Sequence, residues 1–297
     1  MPPRAVRVAA SAKINLYLGV HAQKDGEGYH RVDSVMAALD LADELTIAPA
    51  ERLEVVTVPA LDLPQERNSA YRAAVAMGEA FGREPRFSMR IVKRIPLRAG
   101  LGGPSTDAAA AIAGICRLWG LNPRSPRVAE VARSIGADVP FFLYDSPAYL
   151  AGRGDTLRES FPPLEGMPVV LVKPREGGVD TVQAYARFDA EPQELPPLEP
   201  MLCALRSRDR EEVLARVANN LAPAARACLP QIGTVLDWLR GQEGARAVEV
   251  CGSGATVFAI CATWEAAERI ARAAADERGW WSHAARMEKS GLSVSLV

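Results

Sequence analysis

The segment Pro96–Ala110, PLRAGLGGPSTDAAA, constrains the fold of this chain more than any other. A strand-like run over Phe87–Ile95 precedes it, and an alanine-rich stretch typical of a helix follows it to Cys116. Glycines let a ligand approach the backbone closely, and a helix start offers unpaired N–H groups at the positive end of its dipole. The segment therefore favours an anion site, most often for phosphate, although an ordinary strand-to-helix turn is built from the same elements.

The spacing of these glycines excludes the common phosphate loops. The chain has no GxxxxGK[ST] motif, so it is not predicted to be a P-loop protein. It has no GxGxxG after a first strand, which gives a dinucleotide fold little support. The HRD and DFG signatures of protein kinases are also missing from the sequence.

Composition limits the class of protein further. A chain of 297 residues that is 48% hydrophobic suits two mid-sized domains or one large one. A net charge of −1 gives no general attraction to nucleic acid or membranes, so we expect neither as a partner. Five scattered cysteines and three histidines argue against a disulfide framework or a zinc site. Without a signal-like or membrane-spanning run, the expected location is cytoplasmic.

The order of predicted elements is mixed, which indicates an α+β chain of two domains. We place the division at a change of texture near residues 155–165, with domains at 1–160 and 161–297, and we expect a loop over Glu191–Pro200. The predicted strands are Val6–Val20, His30–Ile47, Arg52–Val58, Phe87–Ile95, Val139–Tyr144, Pro147–Gly152, Met167–Lys173, Ala247–Cys251, Val257–Cys261 and Leu292–Val297. The predicted helices are Ser69–Phe81, the alanine-rich stretch after the glycines, Pro126–Ile135, Arg210–Ala218, Ile232–Gly241 and Trp264–Ala275.

Three further segments carry candidate chemistry. Lys13 and Asn15 stand two apart in an apolar strand and so share a face, although such a lysine is often at an edge. Asp138 follows a predicted helix end and could equally be a cap. The segment Gly252–Thr256 could be a hairpin turn or a second backbone wall for a ligand. A lysine–aspartate pair beside a phosphate site would suit phosphoryl transfer, because it would keep the carboxylate ionised and orient an acceptor alcohol.

Five segments in order, SAKINL, GYH, PLRAGLGGPSTDAA, GADVPFF and CGSGATVF, resemble the GHMP small-molecule kinases. The resemblance runs from about residue 7 to residue 260 with the spacing of that family. It implies a two-domain fold, with an N-terminal domain like domain 2 of ribosomal protein S5 and a smaller α+β C-terminal domain. The site would lie between them. It also implies ATP-dependent phosphorylation of an alcohol.

The resemblance assigns a role to each candidate residue. Lys13 and Asp138 match the catalytic pair, with Asp138 as proton acceptor, and Asn68 matches a residue near the adenine of ATP. Mg²⁺ is expected with ATP, with Ser105 as a candidate ligand and no acidic ligand identifiable. The ATP phosphate loop would comprise Pro96, Leu97, Arg98, Ala99, Gly100, Leu101, Gly102, Gly103, Pro104, Ser105 and Thr106.

The implied small-molecule substrate is a methylerythritol linked to cytidine diphosphate, phosphorylated at its 2-hydroxyl group. Tyr29 and Tyr185 would sandwich the cytosine, and His30 would hydrogen-bond its edge. The remaining implied substrate residues are Asn15, Thr181, Gly252, Ser253 and Gly254.

Two alternatives stay open at this point. A different GHMP kinase would act on a sugar, homoserine or a mevalonate-type alcohol, but those substrates carry no base for Tyr29 and Tyr185 to stack on. A nucleotide-binding protein without turnover is the second alternative. It draws on Pro104, which stands where the family usually has a small residue and which lacks an N–H group. Thr106 stands where serine is usual and keeps a hydroxyl.

Overall fold

A computed structural model describes residues 5–297. Its strands are β1 (Val6–Lys24), β2 (His30–Pro49), β3 (Glu54–Val58), β4 (Phe87–Val92), β5 (Ala148–Ala151), β6 (Thr156–Ser160), β7 (Pro168–Lys173), β8 (Ala218–Asn219), β9 (Ala245–Val250), β10 (Val257–Cys261), β11 (Trp281–Glu288) and β12 (Leu292–Leu296). Its helices are α1 (Ser69–Phe81), α2 (Gly103–Trp119), α3 (Pro126–Ile135), α4 (Thr181–Ala190), α5 (Glu199–Ser207), α6 (Arg210–Ala215), α7 (Ala222–Cys228), α8 (Gln231–Arg240) and α9 (Trp264–Arg278).

A long antiparallel hairpin of β1 and β2 forms the spine of the first half. Its register runs from Val6 opposite Ile47 to Lys24 opposite His30, and residues 25–29 form the tip. Strand β12 pairs with the outer side of β1, while β4 and β5 pair with β2. Side chains of α1, α2 and α3 share one buried apolar cluster with this sheet.

The second half continues the same sheet through β11. Strand β11 pairs antiparallel with β2 at Met287–Leu39 and then with β7, which is followed by β10 and β9. The continuous order is β12-β1-β2-β11-β7-β10-β9. The predicted α+β fold class is therefore confirmed. The predicted division after residue 160 falls between β6 and β7 and stays a prediction.

Helix α2 lies very close to the hairpin because its residues are small. Its buried positions are largely alanine, and a Cβ added at Gly114 would come within 2.9 Å of Ile47 Cγ2. Alanine also has the highest helix propensity, so the same residues favour the helix and its close approach. The sheet fixes α2 from one side, and this positions the glycine-rich turn at its N-terminus.

One predicted element is wrong and several were missed. Val139–Tyr144 is a buried 3₁₀ turn over Pro140–Leu143 rather than a strand, because a short apolar run fits either structure. The strands β6, β8 and β11 and the helices α4, α5 and α7 were not predicted, and Ala218, predicted to end a helix, begins β8 instead. Several of the missed elements mix apolar with charged residues without a clear period. Within residues 5–297, no helix has the length and apolar character needed to cross a bilayer.

Candidate active site

A cleft of about 1190 Å³ opens between the glycine-rich turn, the tip of the β1–β2 hairpin and the start of α4. It is large enough for two nucleotide-sized ligands or one extended one. The predicted residues that line it are Lys13, Asn15, Tyr29, His30, Pro96, Arg98, Ala99, Gly100, Leu101, Gly102, Gly103, Pro104, Ser105, Asp138, Thr181, Tyr185, Gly252, Ser253 and Gly254.

The glycine-rich turn needs its glycines at two positions. Gly100 has φ +75° and Gly102 has φ +77°, a region that side chains disfavour. A Cβ added at Gly100 would come within 2.1 Å of the Cys251 carbonyl oxygen, so the turn presses against the loop after β9. At Gly102 a Cβ would lie 2.9 Å from Phe142 Cζ and 3.0 Å from Lys13 Cγ. The turn is thus packed directly on the lysine.

The start of α2 faces the cleft with free backbone donors. Gly102 is the N-cap, and the first intrahelical hydrogen bond runs from Thr106 N to Gly102 O at 2.8 Å. The N–H groups of Gly103 and Ser105 precede that bond and have no intrahelical acceptor. Pro104 is the second helical residue and interrupts this row of donors.

Lys13 and Asp138 come together at the floor of the cleft. Lys13 Nζ donates to Asn15 Oδ1 at 2.7 Å and lies 3.6 Å from Asp138 Oδ2. The lysine side chain is only 3% exposed, whereas that of Asp138 is 38% exposed toward the cleft. Asn15 Nδ2 in turn donates to Ser34 Oγ at 2.9 Å, which fixes the amide. The pair therefore has one buried member and one that a ligand can reach.

The loop after β9 closes the opposite wall. The buried Cys251 thiol donates to Lys13 O at 3.4 Å and to Gly100 O at 3.2 Å, tying three chain segments together. Burial raises the pKa of this thiol, although Lys13 lowers it, so it stays a neutral donor. Thr181 at the start of α4 and Ser253 have hydroxyl oxygens 3.0 Å apart. Cys251 lies in the CGSGATVF motif, but the sequence alone indicates no role for its thiol.

Aromatic and imidazole rings gather at the other end of the cleft. His30 Nδ1 donates to the His21 carbonyl oxygen at 2.8 Å, and its ring centroid lies 5.5 Å from that of Tyr185. Burial, followed by the charge of Asp138, raises the pKa of Tyr185 to about 12, so its hydroxyl stays protonated. Tyr29 is 54% exposed at the hairpin tip.

Three predicted ATP residues do not line the cleft. Asn68 caps α1, where its side chain accepts from Ala70 N at 2.9 Å. Leu97 is half-exposed outside the cleft, and Thr106 is wholly buried. Their predicted contacts with ATP stay predictions.

A second lysine cluster under the glycine-rich turn was missed by sequence reasoning. Lys93 Nζ contacts Asp43 Oδ2 and lies 2.5 Å from Asp107 Oδ2, and all three side chains are buried. Asp43 Oδ1 also accepts from Ile95 N at 2.8 Å. A Cβ added at Gly103 would lie 3.7 Å from Lys93 Nζ, so the cluster supports the first turn of α2. The signal in the sequence was a lysine in an apolar strand, the same signal that singled out Lys13.

The comparisons with known proteins agree with this architecture. The family model described as the GHMP kinases N terminal domain matches residues 68–146, and the GHMP kinases C terminal model matches residues 201–279. Together they cover more than half of the chain and define it as a GHMP kinase.

Individual relatives show which member of the GHMP kinase family this chain resembles in sequence. The 4-diphosphocytidyl-2-C-methyl-D-erythritol kinase of Bacillus pumilus is 37% identical over 88% of this chain and 90% of its own length. The enzyme of the same name from Paramagnetospirillum magneticum is 36% identical over 92% and 95%. The chain therefore belongs to the GHMP kinase family and, within it, to the family of the 4-diphosphocytidyl-2-C-methyl-D-erythritol kinases.

Comparison with solved structures indicates the same family. A crystal structure of 4-(cytidine 5′-diphospho)-2C-methyl-D-erythritol kinase has a TM-score of 0.76 and 31% identity, covering 96% of this chain and all of the other. The homoserine kinase of Cytophaga hutchinsonii has a TM-score of 0.75 but only 20% identity, so its likeness shows the fold alone.

Proposed function

We propose that this chain transfers the γ-phosphoryl group of ATP to the 2-hydroxyl of 4-diphosphocytidyl-2-C-methyl-D-erythritol, a step in the non-mevalonate route to isoprenoid precursors. The observation that carries the proposal is the Lys13–Asp138 pair, which opens onto the same cleft as the free donors of α2. The relatives named for this reaction support the choice of substrate.

The start of α2 is suited to hold the phosphates of ATP. The N–H groups of Gly103 and Ser105 and the positive end of the helix dipole favour an anion there. A magnesium ion would supply further charge neutralisation on the phosphates. Mg²⁺ usually takes one or two protein ligands and leaves the rest to phosphate and water. The hydroxyl of Ser105 lines the cleft and fits that pattern, and no group of three or more His, Cys, Asp or Glu residues placed to hold a metal ion occurs within residues 5–297.

Asp138 is proposed to take the proton of the acceptor hydroxyl as the phosphoryl group transfers. Its carboxylate is the accessible member of the pair, so a substrate alcohol can reach it. The Lys13 ammonium lies 3.6 Å away and offsets the negative charge that transfer brings to this point. Asn15 and Ser34 hold the ammonium from behind and keep it in place.

The ring cluster is proposed to bind the cytosine. Tyr29 and Tyr185 line the cleft and would stack on the two faces of the base. His30 Nδ1 donates to the His21 carbonyl, and its Nε2 lies 2.9 Å from Asp189 Oδ1 at the edge of the cleft, so the base edge would take the place of that carboxylate at Nε2. Thr181 and Ser253 would contact the middle of the substrate, between the base and the hydroxyl.

A coupled assay of ADP formation tests the proposal. With ATP and Mg²⁺, the protein should form ADP only when 4-diphosphocytidyl-2-C-methyl-D-erythritol is present. Homoserine, mevalonate and simple sugars serve as alternative acceptors from the same fold family. Turnover with one of those acceptors, or none with the cytidyl substrate, would contradict the proposal. Asp138→Asn is the matched blank for background hydrolysis.

A further inference from the structure

Tyr29 is an exposed residue whose ring would have to be held in one orientation for a base to stack on it. It lies at the tip of the β1–β2 hairpin with more than half of its surface exposed. A side chain that must be ordered on binding loses affinity, whereas a ring held in its bound orientation does not. The neighbourhood of Tyr29 should therefore contain a group that fixes the ring.

Arg153 is that group. Its guanidinium carbon lies 3.8 Å from the centroid of the Tyr29 ring, over one face. A guanidinium stacks well on an aromatic face because it is planar and weakly hydrated, and its charge is attracted to the electron-rich ring. One face of Tyr29 is covered in this way, and Arg153 and Tyr29 both line the cleft.

Two carboxylates of the hairpin tip hold the guanidinium in position. Arg153 Nη2 donates to Glu27 Oε2 at 2.5 Å and to Asp25 Oδ2 at 3.2 Å, and Nε donates to Asp25 at 3.3 Å. Asp25 Oδ1 also accepts the backbone N–H of Tyr29 at 2.9 Å. The hydrogen bond from Tyr29 N is the main reason that the pKa of Asp25 is lowered. The same carboxylate thus fixes the backbone of Tyr29 and the cation on its ring.

The backbone next to Arg153 is also hydrogen-bonded to β2, the strand that carries His30. Arg153 lies in the turn between β5 and β6, where Val32 N donates to Gly152 O at 2.8 Å. Val32 follows His30 by two residues on β2. The turn, the hairpin tip and the histidine are therefore connected through one strand.

We infer that Arg153 is a positioning residue for the nucleobase: it covers one face of Tyr29 and leaves the other for the pyrimidine. The inference rests on the proposed function. Nε and Nη2 of Arg153 bond Asp25 and Glu27, and this orientation lays the guanidinium on the Tyr29 ring, so we assign its action to the tyrosine; a direct contact of Nη1 with the substrate's diphosphate is the competing outcome of the test. Nothing in the sequence points to this role, since Arg153 stands between two glycines without a periodic neighbour.

The first test compares Arg153→Met with a matched control, Arg206→Met. Arg206 also bonds two carboxylates, Glu159 and Glu199, each at 2.7 Å, but does not line the cleft. Calorimetry would measure dissociation constants for cytidine and for cytidine 5′-diphosphate. Arg153→Met should weaken both by a similar factor, about fivefold to thirtyfold. The Michaelis constant for ATP should stay within about twofold, and Arg206→Met should leave all three values unchanged.

A double-mutant cycle shows whether Arg153 acts through Tyr29. In a Tyr29→Leu background, Arg153→Met should add less than about twofold to the loss, because the ring that it supports is gone. Arg153→Lys keeps the charge but not the planar fork, so it should restore only part of the affinity. Glu27→Gln changes an exposed side chain and should give a smaller loss in the same direction.

Several results would overturn the inference. A loss for cytidine 5′-diphosphate with unchanged cytidine binding would mean that Arg153 contacts phosphate directly. A full loss in the Tyr29→Leu background, or cytidine affinity within twofold of wild type in Arg153→Met, would also contradict it. Equal losses of cytidine and ATP affinity with a lowered melting temperature would indicate a general structural role. Failure of the proposed function differs, because the wild-type protein would then form no ADP with the cytidyl substrate.

Discussion

Two lysine–carboxylate clusters lie close to the glycine-rich turn, with Lys13 beside Gly102 and Lys93 beside Gly103, and they differ in what the carboxylates can reach. Around Lys93, both Asp43 and Asp107 are buried and in contact with the ammonium. Around Lys13, the ammonium is equally buried, but Asp138 lies 3.6 Å away and is 38% exposed. The first cluster leaves no room for a ligand, while the second presents a carboxylate to the cleft. Under the proposed function, the Lys93 cluster would support the fold and the Lys13 pair would take part in phosphoryl transfer.

We therefore expect a substitution of Lys93 to lower the stability of the fold and a substitution of Lys13 to lower turnover. Lys93→Met leaves two carboxylates facing each other in a buried site, which should destabilise the fold by about 3–5 kcal/mol. Urea unfolding measures this loss. The double variant Lys93→Met/Asp107→Asn should recover part of it, because one buried charge is removed. A Lys93→Met protein with wild-type stability would show that the cluster is not a support.

Lys13→Met should affect turnover more than stability. Asp138 is open to water and tolerates the loss of its partner, but the charge near the transferring phosphoryl group is no longer offset. We expect kcat to fall by about 10²- to 10⁴-fold while the melting temperature changes little. Steady-state kinetics and thermal unfolding of the same sample provide the check. A kcat within about threefold of wild type would make Lys13 a structural residue like Lys93.

Pro104 offers a test of whether the start of α2 binds the phosphates of ATP. It is the second residue of α2, between the donors Gly103 and Ser105, and contributes no N–H group. Pro104→Gly restores that donor, and a hydrogen bond to a charged group contributes about 1.5–3 kcal/mol. The dissociation constant for ATP should therefore fall about tenfold or more.

The same Pro104→Gly substitution should lower the melting temperature of the free protein slightly, because the proline restricts the unfolded chain. Unchanged or weaker ATP binding in the glycine variant would mean that this position does not face phosphate.

The Lys93 cluster also predicts a smaller effect, a dependence of folding stability on pH. Burial raises the pKa of Asp107 to about 7, although Lys93 lowers it and Asp43 raises it further. The folded protein then binds more protons than the unfolded chain between about pH 4 and pH 7, so this group makes stability fall as pH rises through that window. Asp107→Asn removes the group. Its melting temperature should therefore fall less than that of wild type between pH 5 and pH 7.5, and parallel curves would contradict the expectation.

Much of the site could be predicted because its residues lie in local motifs. The glycine-rich turn, Lys13 and Asp138 each stand out within a few neighbouring residues, and a family resemblance then connects them. Lys93 shows the same local signal as Lys13, but no resemblance connects it with Asp43 and Asp107, 50 and 14 positions away, or connects Arg153 with Asp25, 128 positions away. Only the folded sheet, which brings β2, β4 and the β5–β6 turn together, makes those contacts.

Secondary structure could likewise be predicted from the sequence for some segments and not for others. Strand β4, whose side chains alternate between buried and exposed, and the continuously apolar strands β7 and β10 were predicted within a few residues. The run Val139–Tyr144 was misassigned because Phe141 and Phe142 are buried on all sides, which erases any period. Helix α4 begins with Asp180 accepting from Val182 N and Gln183 N, and an aspartate at this position is the capping signal that the sequence contains for a helix here.

The most direct test of the central claim is turnover and ATP binding in Asp138→Asn. The substitution keeps the shape of a side chain that is open to the cleft but removes its ability to accept a proton. The account predicts that kcat with the cytidyl substrate falls by about 10²- to 10⁴-fold. It also predicts an ATP dissociation constant by calorimetry, and a melting temperature, close to those of wild type. Near-normal turnover in a variant that still binds ATP would contradict the role of Asp138, and with it the distinction between the two clusters.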